Sequence, residues 1–86
     1  MLCSFVYVLE STDNGTETLY TGYTNDLKRR LKEHNCGGTK TTKNSQRRCI
    51  YYEACLNQAD AERRERYLKT TLGKRLIKRR LKEYFY

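Results

Sequence analysis

No stretch of the 86 residues approaches the roughly 18 consecutive apolar residues of a membrane-crossing helix. The opening MLCSFVYVLE has neither a positive start nor a small-residue cleavage site, so no secretory leader is expected and a cytoplasmic location is. There is no Cys-x-x-Cys pair: Cys3, Cys36, Cys49 and Cys55 are scattered, and the one histidine, His34, stands two residues before Cys36. Closed zinc sites use tightly paired ligands. Cys3, Cys49 and Cys55 fall in strand-like sequence and therefore read as small buried hydrophobes. There is no repeat, linker or low-complexity segment, and the length suits one small domain over residues 1–86 with a thin core.

Basic residues are missing from the first part of the chain. Residues 1–22 hold three acids and no base, whereas residues 23–86 hold 18 bases and 7 acids, a net of +11. So lopsided a field favours an anionic polymer, with nucleic acid the first candidate and an acidic membrane surface the second. A merely solubilising surface is the plain alternative.

What is present falls into short alternating elements. SFVYVLE is β-branched and aromatic, STDNGTET carries the turn pair Asn14-Gly15, and LYTGY resumes the pattern, which together make a β-hairpin signature. A strand apolar on both faces, as Phe5 to Leu9 are, belongs in the middle of a covered sheet. A helix follows from near Asn25, read as its N-cap with Asp26 in the first turn, and stops before Asn35, Gly37 and Gly38. GGTKTTKNSQRR reads as a basic loop and CIYYEAC as a third strand. Asn57 caps the next helix, with Asp60 completing a capping-box pattern, and the periodicity runs to about Thr70. Gly73 reads as an interruption. A last helix, KRLIKRRLKEYF, carries Leu76, Ile77, Leu81 and Tyr84 on one side and a basic ridge including Lys74, Arg75, Lys78 and Arg79 on the other.

Two helices carry charges on the wrong side. At about 100° per residue, Arg30 and His34 share the stripe of Leu27 and Leu31 within an arc of roughly 100°, the width of one buried face. Glu65 likewise lies in line with Ala61, Leu68 and Leu72. An inward carboxylate must be paired with a base, protonated or bound to a cation; a structural ion pair, for instance with Arg30, would suffice. Arg30, His34 and Glu65 beside strands supplying Tyr7 and Tyr20 form a more specific set. A guanidinium suits a scissile phosphate, a carboxylate suits a hard divalent ion, and tyrosine or histidine can hold protons around an attacking water. That combination fits metal-assisted phosphodiester hydrolysis.

These residues resemble the GIY-YIG nuclease family. Its first motif is matched by FVYVL, with Phe5 and Val6 in place of Gly-Ile, and its second by LYTG. YTGYTNDLKRRLKEH resembles the family's YIGxTxNLxxRxxxH, matching Arg30 and His34, and YYEACLNQADAERRERYLK resembles the segment that carries its metal-binding glutamate, matching Glu65. The resemblance covers nearly the whole chain and is nearest the small stand-alone bacterial members. It implies an α/β fold: a small three-stranded, mainly antiparallel sheet flanked by three helices in the order ββαβαα. It also implies a DNA endonuclease using one divalent ion, Mg2+ or Mn2+, held by Glu65. By the same resemblance Tyr7 is the general base or water-orienting group, supported by Tyr20. Arg30 binds the scissile phosphate, and His34 assists proton transfer or holds Tyr7. Tyr23 stands where a small or polar residue is expected, and would narrow the cleft or stack on a base.

Lys40, Lys43, Arg47, Arg48 and the last helix, with Lys74, Arg75, Lys78 and Arg79, are expected to contact phosphates irrespective of sequence. DNA, branched or damaged, is the expected partner, with a role in repair or recombination and targeting by a partner protein as finer expectations. The rivals are a non-catalytic nucleic-acid-binding module of the same fold and a small RNA- or ribosome-attached interaction protein.

Overall fold

In the strand β1 (Ser4–Asp13), successive side chains turn to opposite faces, and Val6, Tyr7, Val8 and Leu9 are each no more than 1 % exposed. Both faces of this strand are therefore covered, as its two-sided apolar pattern requires. The computed structural model describes residues 3–13, 16–35 and 47–86. In it β1 is the middle of a three-stranded sheet, flanked by β2 (Thr16–Thr24) and β3 (Arg47–Cys55), with both pairings antiparallel and the order β2-β1-β3. The helices are α1 (Leu27–Asn35), α2 (Gln58–Leu68), α3 (Thr71–Arg80) and a single further turn, α4 (Lys82–Phe85). This is the α/β, ββαβαα arrangement with the last helix divided at Leu81. None of the described helices is long and apolar enough to cross a membrane.

The two faces of the sheet have different work. Val6 and Val8 pack with Ala61 and Leu68 of α2 and Ile77 of α3, and Leu19, Tyr23, Ile50, Tyr51, Leu76 and Leu81 close around them. This is the apolar core. Tyr7 and Leu9 turn to the other face, which α1 covers.

Register decides which polar groups join each face. The hairpin pairs Tyr7 with Gly22 and Leu9 with Tyr20. On the other side Val8 pairs with Tyr51 but Leu9 with Cys49, so Ile50 is an extra residue, a β-bulge. A one-residue slip exchanges faces. The bulge thus puts Arg47 opposite Ser11, on the Tyr7 face, and Arg48 opposite Glu10, on the core face. Both arginines belong to β3, two residues earlier than its expected start, and not to the preceding loop. Lys40 and Lys43 lie outside the described residues.

The caps refine three expectations. Asp26, not Asn25, caps α1: its Oδ1 accepts from the Arg29 N–H at 3.1 Å, while the Asp26 N–H donates to Thr24 Oγ1 at 3.1 Å. Asn57 caps α2 as expected, accepting from the Ala59 N–H at 2.8 Å, and Asp60 pairs with Arg63 at 3.2 Å. Gly73 does not interrupt a helix. It is buried within the first turn of α3, whose cap is Thr70, accepting from the Gly73 N–H at 3.1 Å and donating to the Tyr67 carbonyl at 2.6 Å. The helix break comes from the threonine, and the glycine serves packing. A Cβ on residue 73 would lie 2.1 Å from the Tyr67 oxygen and 2.5 Å from the Leu68 Cα. Leu72, expected on the buried stripe with Leu68, lies in the first turn of this new helix instead and is 62 % exposed.

In a helix interior Ala is ordinarily better than Gly by about 0.5–1 kcal/mol. Here Gly73→Ala should destabilise, by about 1–3 kcal/mol, because backbone rather than a flexible side chain occupies the space. Urea denaturation measures this, and an unchanged or higher midpoint would contradict so close an approach of α2 and α3.

Candidate active site

Tyr7 is the residue around which the polar groups gather. Its ring stands on the α1 face of the central strand and leans over Gly22, its cross-strand partner. A Cβ on residue 22 would come within 2.5 Å of the Tyr7 hydroxyl oxygen. Glycine is thus required as the seat of the hydroxyl, irrespective of backbone conformation. Sequence reasoning missed Gly22 in this role, although counting residues outward from Asn14-Gly15 puts it directly across from Tyr7.

Helix α1 supplies the next two groups from one stripe, four residues apart. The Arg30 Nε–H donates to Tyr7 Oη at 3.4 Å, and Tyr7 Oη lies 3.4 Å from His34 Nε2. These are long hydrogen bonds, but the three side chains are held by packing as well. Tyr7 and His34 meet edge to face at 6.0 Å between ring centroids, and Tyr20 and His34 do so at 5.5 Å. Tyr20, 39 % exposed, is the outer wall. Its ring carries the Arg47 guanidinium at 5.0 Å, a cation–π distance. The inward arginine and histidine of α1 therefore line a polar cluster and not the apolar core.

Burial fixes the charge states. It raises the Tyr7 phenol above its ordinary 10.0; the Arg30 hydrogen bond opposes this, and Tyr20 and Glu65 add to it. It also lowers His34 from 6.5, assisted by the positive charges of Arg30 and Arg47 and opposed by Glu33. Tyr7 is thus a phenol and His34 a neutral imidazole at neutral pH. Arginine can only donate, so Tyr7 Oη accepts from Arg30 and its own proton is free for His34 Nε2 or for a water. With Nε2 accepting, the ring proton sits on Nδ1, which is buried and finds no partner among the described residues.

Glu65 comes from the other layer. It stands on α2, over the core face, with its side chain 16 % exposed and its carboxylate 3.6 Å from Lys69 Nζ, one turn on. Its partner is Lys69 and not Arg30, which pairs with Glu33 at 3.8 Å. The negative charge of Glu65 nevertheless reaches the Tyr7 hydroxyl, where it is the smallest of the influences raising the phenol. Among the described residues no three His, Cys, Asp or Glu side chains gather as a ready-made metal cage. A single carboxylate accords with Mg2+ or Mn2+, which keep several waters and share a substrate phosphate. Tyr23 turns to the face opposite Tyr7, where it packs against the core and its hydroxyl donates to Glu62 at 2.8 Å.

The basic residues divide. Arg47 joins the Tyr7 face, while Arg48 lies over the Tyr84 ring at 5.3 Å, where the Tyr84 hydroxyl donates to Glu10. Lys74, Arg75, Lys78 and Arg79 are exposed on α3.

The family model described as the GIY-YIG catalytic domain matches residues 3–80. Among relatives, the chain is 40 % identical over 68 residues to a UPF0213 protein of Clostridium perfringens, covering 77 % of this chain and 70 % of that one. It is 42 % identical over 78 residues to a UPF0213 protein of Pediococcus acidilactici (86 % and 76 %), and 44 % identical over 68 residues to one of Streptococcus agalactiae (77 % and 74 %). No solved structure matches significantly. The tyrosine on the central strand, the tyrosine and glycine across from it and the inward arginine and histidine of α1 all lie within the matched span, and the chain belongs to the GIY-YIG family, a nuclease superfamily.

Proposed function

We propose that the protein is a metal-dependent DNA endonuclease that hydrolyses phosphodiester bonds, with Tyr7, Tyr20, Arg30 and His34 as its catalytic side chains. Structure-selective cleavage in DNA repair or recombination is the finer reading. The observation that carries the proposal is the chain of hydrogen bonds from Arg30 through Tyr7 to His34 beside the half-exposed Tyr20.

A phosphodiester approaching Tyr20 meets Arg30, whose Nε is committed to Tyr7 but whose outer N–H groups can bind anionic oxygens. A water beside Tyr7 loses a proton to Tyr7 Oη as Tyr7 hands its own to His34 Nε2. The phenol thus serves as a base without first becoming a free phenolate, which its raised pKa disfavours. The depressed basicity of His34 keeps the imidazole unprotonated and able to accept. Arg47, stacked on Tyr20, adds positive charge on the same side. Glu65 is the residue that would hold a divalent ion, whose chemistry is to stabilise charge developing on the leaving oxygen.

Cleavage of plasmid and branched DNA in Mg2+ and Mn2+ tests the proposal. Arg30→Ala should lower the rate by about 10²–10³-fold while lowering DNA affinity only a few-fold, since Arg30 is one charge among many in binding. Binding without cleavage in either metal would instead make the protein a nucleic-acid-binding module.

Glu65→Gln preserves shape and removes the charge. Thermal melts should show the wild type gaining stability with added Mn2+ and the variant gaining none, as for a ligand that binds only the folded state. Equal responses would place the metal elsewhere.

His34 gives a pH signature that needs no substrate. Its folded pKa lies below the ordinary 6.5, so the unfolded chain binds the proton more readily. Its contribution to stability is full above that value and is lost as pH falls through it towards the folded pKa. Wild-type melting temperature should therefore fall more steeply than that of His34→Gln between pH 7 and about pH 5. Parallel curves would mean that the imidazole is not held neutral.

A further inference from the structure

The groove at the α2–α3 corner draws on groups that the Tyr7 cluster does not use. It is lined by Tyr67 of α2, by Leu72, Arg75, Lys78 and Arg79 of α3, and by Tyr86. Half of these residues are cations and none is an acid. The other three leave apolar surface open to solvent: Tyr67 is 40 % exposed, Leu72 62 % and Tyr86 88 %. A single exposed leucine carries no message, but here two tyrosines and three bases share one depression.

The corner is also stiff. Gly73 lets the end of α2 and the start of α3 approach within backbone contact, so Tyr67 and Leu72 stand on the two sides of a fixed angle. The Arg64 guanidinium sits 5.5 Å from the Tyr67 ring centroid and restrains that ring from one side. A ring that is already ordered loses little entropy on stacking.

Charge and shape select the occupant. A partner must offer negative charges, to suit three bases without an acid, and flat faces between those charges, to cover the tyrosines. An unpaired nucleic-acid strand offers both at every residue. A duplex offers the charges but keeps its base faces stacked on one another, and an acidic peptide lacks the regular flat faces.

We propose that this groove binds an unpaired stretch of nucleic acid, with bases stacked on Tyr67 and Tyr86 and phosphates on Arg75, Lys78 and Arg79. None of the Tyr7 cluster residues lines this groove, so it holds strand flanking the reacting phosphate and not that phosphate itself. The inference rests on the nuclease reading for its purpose, and narrows the substrate to DNA with a single-stranded segment.

Metal-free fluorescence anisotropy tests it without cleavage. The probes are oligo-dT of about 12 nucleotides, an abasic oligomer of the same length, which keeps the phosphates and removes the bases, and a matching duplex, all at one salt concentration. The wild type should bind oligo-dT more tightly than the abasic strand by at least about tenfold, the effect of the first of two bases stacked on aromatic rings. Tyr67→Leu should reduce that preference, Tyr67→Phe should keep it, and Arg75→Gln with Arg79→Gln should weaken both strands alike. Circular dichroism reports whether each variant is folded; should Tyr67→Leu not fold, Tyr86→Leu is read in its place, with a reduced preference expected. No preference in the wild type, a preference unchanged in the folded leucine variant, or tighter binding of the duplex would overturn the proposal. So would displacement of oligo-dT by phosphatidylglycerol vesicles through a Tyr67-dependent contact. Plasmid cleavage is scored separately: cutting without the stacking preference removes only the groove, and the preference without cutting removes only the nuclease.

Discussion

The buried hydroxyl of Tyr7 is the constraint on which the rest of the site depends. A phenol only 1 % exposed, at the centre of a sheet, must find hydrogen-bond partners within the protein. Gly22 provides its space, Arg30 a donor and His34 a ring nitrogen, and each comes from a different turn or strand. The inward charges on α1 satisfy a group that would otherwise be stranded. The same burial that makes this necessary sets the protonation states, raising the phenol and lowering the imidazole.

The sheet separates stability from chemistry by parity. Even positions of β1, Val6 and Val8, face α2 and α3 and form the apolar core; odd positions, Tyr7 and Leu9, face α1. The bulge at Ile50 is what carries Arg47 across to the Tyr20 ring while leaving Arg48 with Tyr84 and Glu10. Adjacent strand residues face opposite sides in any case, and the inserted residue decides which of the two arginines joins Tyr7. The core face has its own polar clamp, with Glu53 receiving the Tyr51 hydroxyl at 2.7 Å and Arg64 Nε at 2.8 Å, which ties β3 to α2.

Glu65 stands apart from the hydrogen-bonded cluster and belongs to the helix layer that supports the core. Its negative charge acts on Tyr7, raising the phenol. A carboxylate 16 % exposed and matched, among the described residues, by an exposed lysine one turn away is held loosely. The proposed cation would displace the lysine at modest cost, because a partly exposed i,i+4 pair contributes little.

The sequence by itself determined the elements and the inward residues. The two-sided apolar run of β1 required a central, covered strand, the stripe of α1 required Arg30 and His34 to face inward, and Asn57 marked the start of α2. These are local signals, set by side-chain period and by short-range hydrogen bonding. What only the tertiary structure decided was long-range. It set the bulge that assigns Arg47 and Arg48 to faces. It also decided the turning of Tyr23 to Glu62 and the backbone approach at Gly73, which makes that glycine a packing contact instead of a break. Residues far apart in the chain meet only after packing fixes distances, and no periodicity within one segment encodes where a second segment will lie.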